Sequence, residues 1–289
     1  MSGFDDVKAS YGHLRTKFLS FILALLGMFV LVFVIFAIVT IPIAAVLWLM
    51  AGGVENFVEV WAQDVISFFA PYMATGDLLL ILVLGVVILI PLFAITEWVL
   101  GSLYGMSKDI VVSGGTTAEG AFTWFRRKAG AFLSTGAILA VIVLGPVAAI
   151  GYPISWFYGF SIPIEVSRVI GIIGFVWIFI LLGFLRMYLP AVADDVGAID
   201  GVKRSFSLVK NNFGRVFTAW TIYFILLAIW FIPILVWGFM QTGVPVPPTD
   251  ITFWLAVAVA GIGAFVDLLI ILPMMFLGMT AIYHDIKGQ

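Results

Sequence analysis

Three ionisable side chains fall inside otherwise apolar stretches of this 289-residue chain: Glu97, Arg186 and Asp267. A charged side chain at the centre of a spanning helix costs roughly 2.5–3.5 kcal/mol on insertion scales, so such groups face a bundle interior or water and pair or stay protonated. Helical rise puts Glu97 roughly 16 Å from the interface marked by Lys108. Asp267 falls near the middle of the last apolar stretch, and Arg186 at the inner end of the fourth, where it can snorkel towards either carboxylate. Both carboxylates are expected to point into the bundle, with Arg186 the best partner for Glu97. The residues admit two readings. One is a polar site or proton or ion path in a small transporter or channel built on Glu97 and Asp267. The other is a hydrogen-bonded or protonated clamp between helices. A pathway needs a continuous polar lining, and 178–185 and 222–240 offer almost none, which favours the clamp.

Other chemistry finds less to stand on. The two histidines, His13 and His284, are expected at the membrane surface, where Asp285 is the one obvious carboxylate beside them. Solvated surface imidazoles fit better than a metal site. Gly261-Ile-Gly263 precedes Asp267 by too many residues for the Gly-x-Gly-Asp signature of intramembrane aspartyl proteases. The chain has no Cys, which removes disulfides, thiolate metal ligands and Cys nucleophiles. There is no glycine-rich phosphate loop and no Ser-centred nucleophile elbow. A lipid-modifying enzyme would need acidic and His residues clustered at one interface, and His284-Asp285 alone is thin. The expectation is a non-enzyme with no cofactor, no metal and no catalytic residue.

The elements that must hold these residues are apolar throughout. The chain is 63% hydrophobic and 10% charged, against about 45–50% and about 25% in soluble domains, and its mean hydropathy is +1.21. Lipid is its solvent, and no basic surplus supports binding to nucleic acid. Runs of about 20 apolar residues cross a membrane as helices, which predicts an all-α bundle of six spans at 18–49, 78–104, 131–155, 166–189, 215–240 and 253–281. The first follows Lys8, Arg15 and Lys17 as a secretory signal would, but its apolar run far exceeds the roughly 7–15 residues of a signal h-region. It reads as a retained span. With six spans, thirteen of the fourteen Lys and Arg fall on one face and only Arg168 on the other. The positive-inside rule then predicts a multi-pass protein of the cell membrane with both termini cytoplasmic. Aromatic residues at the expected span ends agree: Trp48, Tyr152, Trp156, Trp237 and Trp254 outside, Tyr104, Tyr188, Trp220 and Tyr283 inside.

Three short stretches ahead of the odd-numbered spans superimpose without gaps: Val7, Ser10, Tyr11, Leu14, Arg15, Phe18; Ala118, Ala121, Phe122, Phe125, Arg126, Ala129; and Val202, Ser205, Phe206, Val209, Lys210, Phe213. Their spacing puts the apolar members on one helical stripe with the basic residue at its edge. Each reads as an amphipathic helix on the inner leaflet, its stripe in the acyl boundary. Arg15, Lys17, Arg126, Arg127, Lys128, Lys203, Arg204 and Lys210 are then the candidate contacts to lipid headgroups. A sharp elbow into the following span is expected near Gly130 and Gly214. The single integral domain, 1–289, thus reads as three helical hairpins, approximately 5–105, 116–190 and 200–285, each preceded by a cytoplasmic elbow helix. The longer first outer loop predicts a cation-free surface helix over 54–69, and Val244-Pro-Val-Pro-Pro-Thr-Asp250 a stiff linker. Prolines at 42, 91, 146, 190, 233 and 273 can kink every span, and Gly101-x-x-x-Gly105 can permit a close helix contact.

The runs Lys108-Asp-Ile-Val-Val-Ser-Gly-Gly-Thr-Thr-Ala-Glu-Gly-Ala-Phe122 and Asp200-Gly-Val-Lys-Arg-Ser-Phe-Ser-Leu-Val-Lys-Asn-Asn-Phe-Gly-Arg-Val-Phe217 resemble those of a broad group of prokaryotic, largely archaeal, membrane proteins. That group includes the six-span domain attached to some glycerophosphodiester phosphodiesterases. The resemblance implies a fold and a membrane location; it brings no activity and no site residues, and the soluble phosphodiesterase domain of the fused members is absent here. The functional expectation is a non-catalytic polytopic protein acting through lipid contacts, or as a scaffold or partner for other membrane proteins or for further copies of itself. A small transporter or channel is the alternative.

Overall fold

The structure, a computed structural model, describes residues 2–50, 78–158, 164–240 and 251–288. The expected outer helix over 54–69 and the 244–250 linker lie outside the described residues. What is described is all-helical: α1 (Gly3–Met50), α2 (Leu78–Ser113), α3 (Gly120–Arg127), α4 (Ala129–Tyr158), α5 (Ile164–Phe184), α6 (Tyr188–Ala193), α7 (Ala198–Asn211), α8 (Phe213–Ala228), α9 (Ile232–Met240), α10 (Ile251–Val266) and α11 (Leu272–Ile286). Six stretches are long and apolar enough to cross a membrane: Gly3–Ile38, Leu89–Ser113, Ala129–Pro146, Val169–Ala193, Phe213–Trp237 and Ile251–Ile286. Their outward faces are as oily as their inward ones, with Phe33, Val141, Ile172, Leu235 and Ile251 all exposed. Water would drive such surfaces together; hydrocarbon does not. The chain is a multi-pass membrane protein.

Two proline effects shape the last helices. Pro lacks an N–H and its ring pushes away the carbonyl four residues earlier. Ahead of Pro233 the helix tightens into a 3-10 turn at Ile229–Phe231. Ahead of Pro273 it widens into a π turn at Asp267–Ile271. Pro91, Pro146 and Pro153, by contrast, lie inside continuous helices.

Each of the three short superimposable stretches ends in a backbone break. Lys17 interrupts α1 with φ −126° and ψ 19°, Lys128 separates α3 from α4, and Asn212 separates α7 from α8 with φ −123° and ψ 34°. Lys17, Lys128 and Asn212 each follow Val7, Ala118 and Val202 by ten residues. The breaks therefore come two residues before Gly130 and Gly214. Those glycines lie within helices, and a Cβ on either would meet nothing. Negative φ with ψ near zero is open to Lys and Asn, so the turn needs no glycine.

The chain divides into two compact units. One comprises Met1–Leu25, Gly101–Arg127 and Gly183–Gln289. Its core holds Trp220, Tyr223, Tyr283, Phe276 and Met279, with Phe276 stacked on Phe21 at 6.2 Å and meeting Tyr104 edge-on at 5.0 Å. Gly278 is a close approach within it: a Cβ there would collide with the Tyr223 hydroxyl. The other unit comprises Leu26–Leu100 and Lys128–Leu182. There Gly136 lies directly against the backbone of Phe93 and Ala94, and Phe132 and Thr135 are buried.

Candidate functional site

The three short stretches bury equivalent positions. Ser10, Ala121 and Ser205 are buried, as are Leu14, Phe125 and Val209 one turn later. Beyond the breaks the pattern continues through Phe21, Phe132 and Val216, then Ala24, Thr135 and Ala219. The hydroxyls anchor two of the stretches: Ser205 donates to the Phe184 carbonyl at 2.7 Å, and Ser10 donates to the Val7 carbonyl and lies 2.8 Å from the Tyr223 hydroxyl. Tyr11, Phe122 and Phe206 are exposed instead, and four residues after each comes an exposed cation, Arg15, Arg126 or Lys210. That spacing places ring and cation on one face. The apolar stripe is therefore divided: one edge is protein core and only the aromatic edge looks outward.

The remaining candidate headgroup cations differ in their surroundings. Arg127 is exposed and lies 5.7 Å from the Trp124 ring centroid. Lys203 is exposed and pairs with Asp200 at 3.5 Å, a contact open to water and weak for that reason. Arg204 lies 5.6 Å from the Tyr283 ring centroid. Lys17, Lys128 and Arg204 are half-buried.

Two ionic clusters bind the first unit together. Arg215, at the start of α8, grips Asp6 of α1 through Nε and Nη2 at 2.7 and 2.6 Å, and Nη2 also reaches Asp285 of α11 at 2.8 Å. Asp194, just after α6, receives Lys108 of α2 at 3.0 Å and Lys287 at 2.9 Å, and the Tyr283 hydroxyl at 3.3 Å. Burial alone would raise the Asp194 carboxyl, but the hydrogen bonds from Lys287 and Lys108 outweigh it and hold the group down at about 2. Lys108 also donates to the Ala193 carbonyl and lies 5.7 Å from the Trp124 ring, whose Nε1 donates to Asp109 at 2.7 Å. Neither Asp6, Asp194 nor Arg215 stood out as a site residue in the sequence. The partners are 70 to 209 residues apart in hydrogen-bonded pairs, so no spacing rule joins them; the one signal is an acid lying at the basic end of a span.

The intramembrane residues are split between the units. Glu97 is buried in the second unit, while Arg186 and Asp267 belong to the first. Arg186 sits in the turn between α5 and α6, its guanidinium 4.0 Å from the Trp220 ring centroid. Asp267 is only 6% exposed. It opens the π turn, and its Oδ1 accepts no hydrogen bond among the described residues. Elsewhere in the core of this unit, the Tyr223 hydroxyl donates to the Met274 carbonyl at 3.1 Å. His284 meets Tyr283 edge-on at 5.4 Å. No group of three metal-binding side chains occurs among the described residues. Chemically, the arrangement locks helix ends together and presents cations beside aromatic rings. Comparison with family models, with curated proteins and with solved structures gives no match.

Proposed function

We propose that this chain is a non-catalytic membrane protein that acts through lipid contacts as a scaffold, seated in the cytoplasmic leaflet by three repeated elbow helices with both termini cytoplasmic. One observation carries the reading: an exposed aromatic followed one turn later by an exposed cation recurs at the same place in all three stretches, as Tyr11 and Arg15, Phe122 and Arg126, Phe206 and Lys210. The backbone breaks at Lys17, Lys128 and Asn212 support it, because each turns the chain at an equivalent residue. The ring suits the acyl boundary and the cation the phosphate layer above it. Each cation near an anionic surface contributes about 1 kcal/mol. The thirteen-to-one distribution of Lys and Arg supports the orientation.

The test compares the protein with a triple variant, Arg15→Gln, Arg126→Gln and Lys210→Gln, in nanodiscs of anionic or zwitterionic lipid. Anionic lipid should raise the thermal midpoint of the parent and co-purify with it, and the triple variant should lose most of both effects. Equal behaviour of the two proteins in both lipids rules the reading out. A transport function would rest on Glu97 and Asp267; Asp267→Asn is expected to alter stability and leave ion flux in proteoliposomes unchanged.

A further inference from the structure

Arg186 poses a separate question of charge compensation. Gly183, one turn before it, brings α5 so close to α8 that a Cβ there would meet the Phe217 ring and reach Trp220 at 3.0 Å. This approach draws the guanidinium down onto the indole of Trp220, which is itself buried. The Arg186 Nε is shielded from solvent and donates to no acceptor, and no ion pair holds the side chain among the described residues. An indole face attracts positive charge, but it leaves the in-plane N–H donors of the guanidinium unmet. A planar fork of donors, backed by a ring and lacking a carboxylate, matches an oxyanion that accepts two parallel hydrogen bonds.

We propose that Arg186, backed by Trp220, is a binding site for a phosphate group, distinct from the exposed cations of the amphipathic stretches. Arg186 lies in the turn after α5, near the end of the apolar stretch Val169–Ala193, from where an arginine reaches the level of lipid phosphates by snorkelling. The same chemistry would accept the headgroup of an anionic lipid or a free phosphate.

The full-length protein, purified in a maltoside detergent free of phosphate, is titrated separately with dihexanoyl phosphatidic acid, dihexanoyl phosphatidylcholine and inorganic phosphate. Thermal midpoint and native mass spectrometry are the readouts. A saturable midpoint rise with phosphatidic acid is expected, with affinity at least tenfold weaker in Arg186→Gln. The triple variant Arg15→Gln, Arg126→Gln, Lys210→Gln should keep the saturable response, which separates this site from the proposed leaflet contacts. A matching response to inorganic phosphate assigns the site to free phosphate; a response to phosphatidic acid alone assigns it to a lipid headgroup. Should Arg186→Gln fail to fold, Arg186→Lys, which keeps the charge and loses the fork, carries the comparison with an expected loss of at least threefold. The proposal is overturned if neither anion gives a saturable response, or if the Arg186 variant that folds binds as tightly as the parent.

Discussion

Arg215 holds two carboxylates, and the structure assigns them unequal weights. Asp6 is 5% exposed and receives two donors from the guanidinium, whereas Asp285 is 53% exposed and receives one. Removing one partner of a buried pair leaves an uncompensated charge and costs about 3–5 kcal/mol. Removing an exposed partner costs about 0–1 kcal/mol. Arg215→Gln should therefore be severe, because it strands Asp6 in the core. Asp285→Asn should be nearly silent. Asp6→Asn should fall between them, since Arg215 keeps Asp285. A kcal/mol moves the midpoint of a chain this size by roughly 2 °C, so Arg215→Gln is expected to lower it by about 6–10 °C in detergent. Asp6→Asn combined with Arg215→Gln should cost clearly less than the two single changes together. Raising the salt should weaken only the Asp285 contact, which water and ions reach. Because the clamp joins the first helix to α8, Arg215→Gln should also speed tryptic cleavage at Lys8 and Arg15. Equal losses for Asp6→Asn and Asp285→Asn, or strict additivity in the cycle, would refute the assignment.

Further outcomes follow from other contacts. Gly278→Ala should cost about 1–3 kcal/mol by overpacking, since the new methyl meets the Tyr223 hydroxyl and lies 3.2 Å from Ser10 Cβ; thermal unfolding checks it, and Tyr223→Phe in the same chain should recover part of the loss. Asp194, held at about 2 by its two lysines, lies below its unfolded value of about 3.9. Its contribution is therefore complete above about pH 4 and fades as the pH falls towards 2; unfolding midpoints across this window should drop more steeply in the parent than in Asp194→Asn. For the proposed orientation, Ser2→Cys and Thr249→Cys should be labelled by an impermeant reagent from opposite sides of the membrane, and labelling from one side would exclude it.

Hydropathy is a property of each segment alone, so the six apolar helices could be read directly: a run such as 166–189 needs no partner to be apolar. The period of the three short stretches is equally local, and helices do occupy 120–127 and 198–211. Which edge of each stripe is buried was not local. Tyr11 and Leu14 look alike in the sequence, yet Leu14 is core and Tyr11 is exposed, because neighbouring helices pack against only one side. The breaks at Lys17 and Lys128 likewise sit at residues with no turn signature, only Asn212 being a common turn former, and the glycines expected to form them stand inside helices. The same limit governs the charges. The positions of Lys and Arg in the sequence placed thirteen of fourteen on one face of the expected six-span arrangement. That Arg215 closes on Asp6 across 209 residues, and that Arg186 rests on Trp220, required the packed helices. Apolarity and helical period belong to consecutive residues; the partner of a charge belongs to whichever helix the tertiary structure brings beside it.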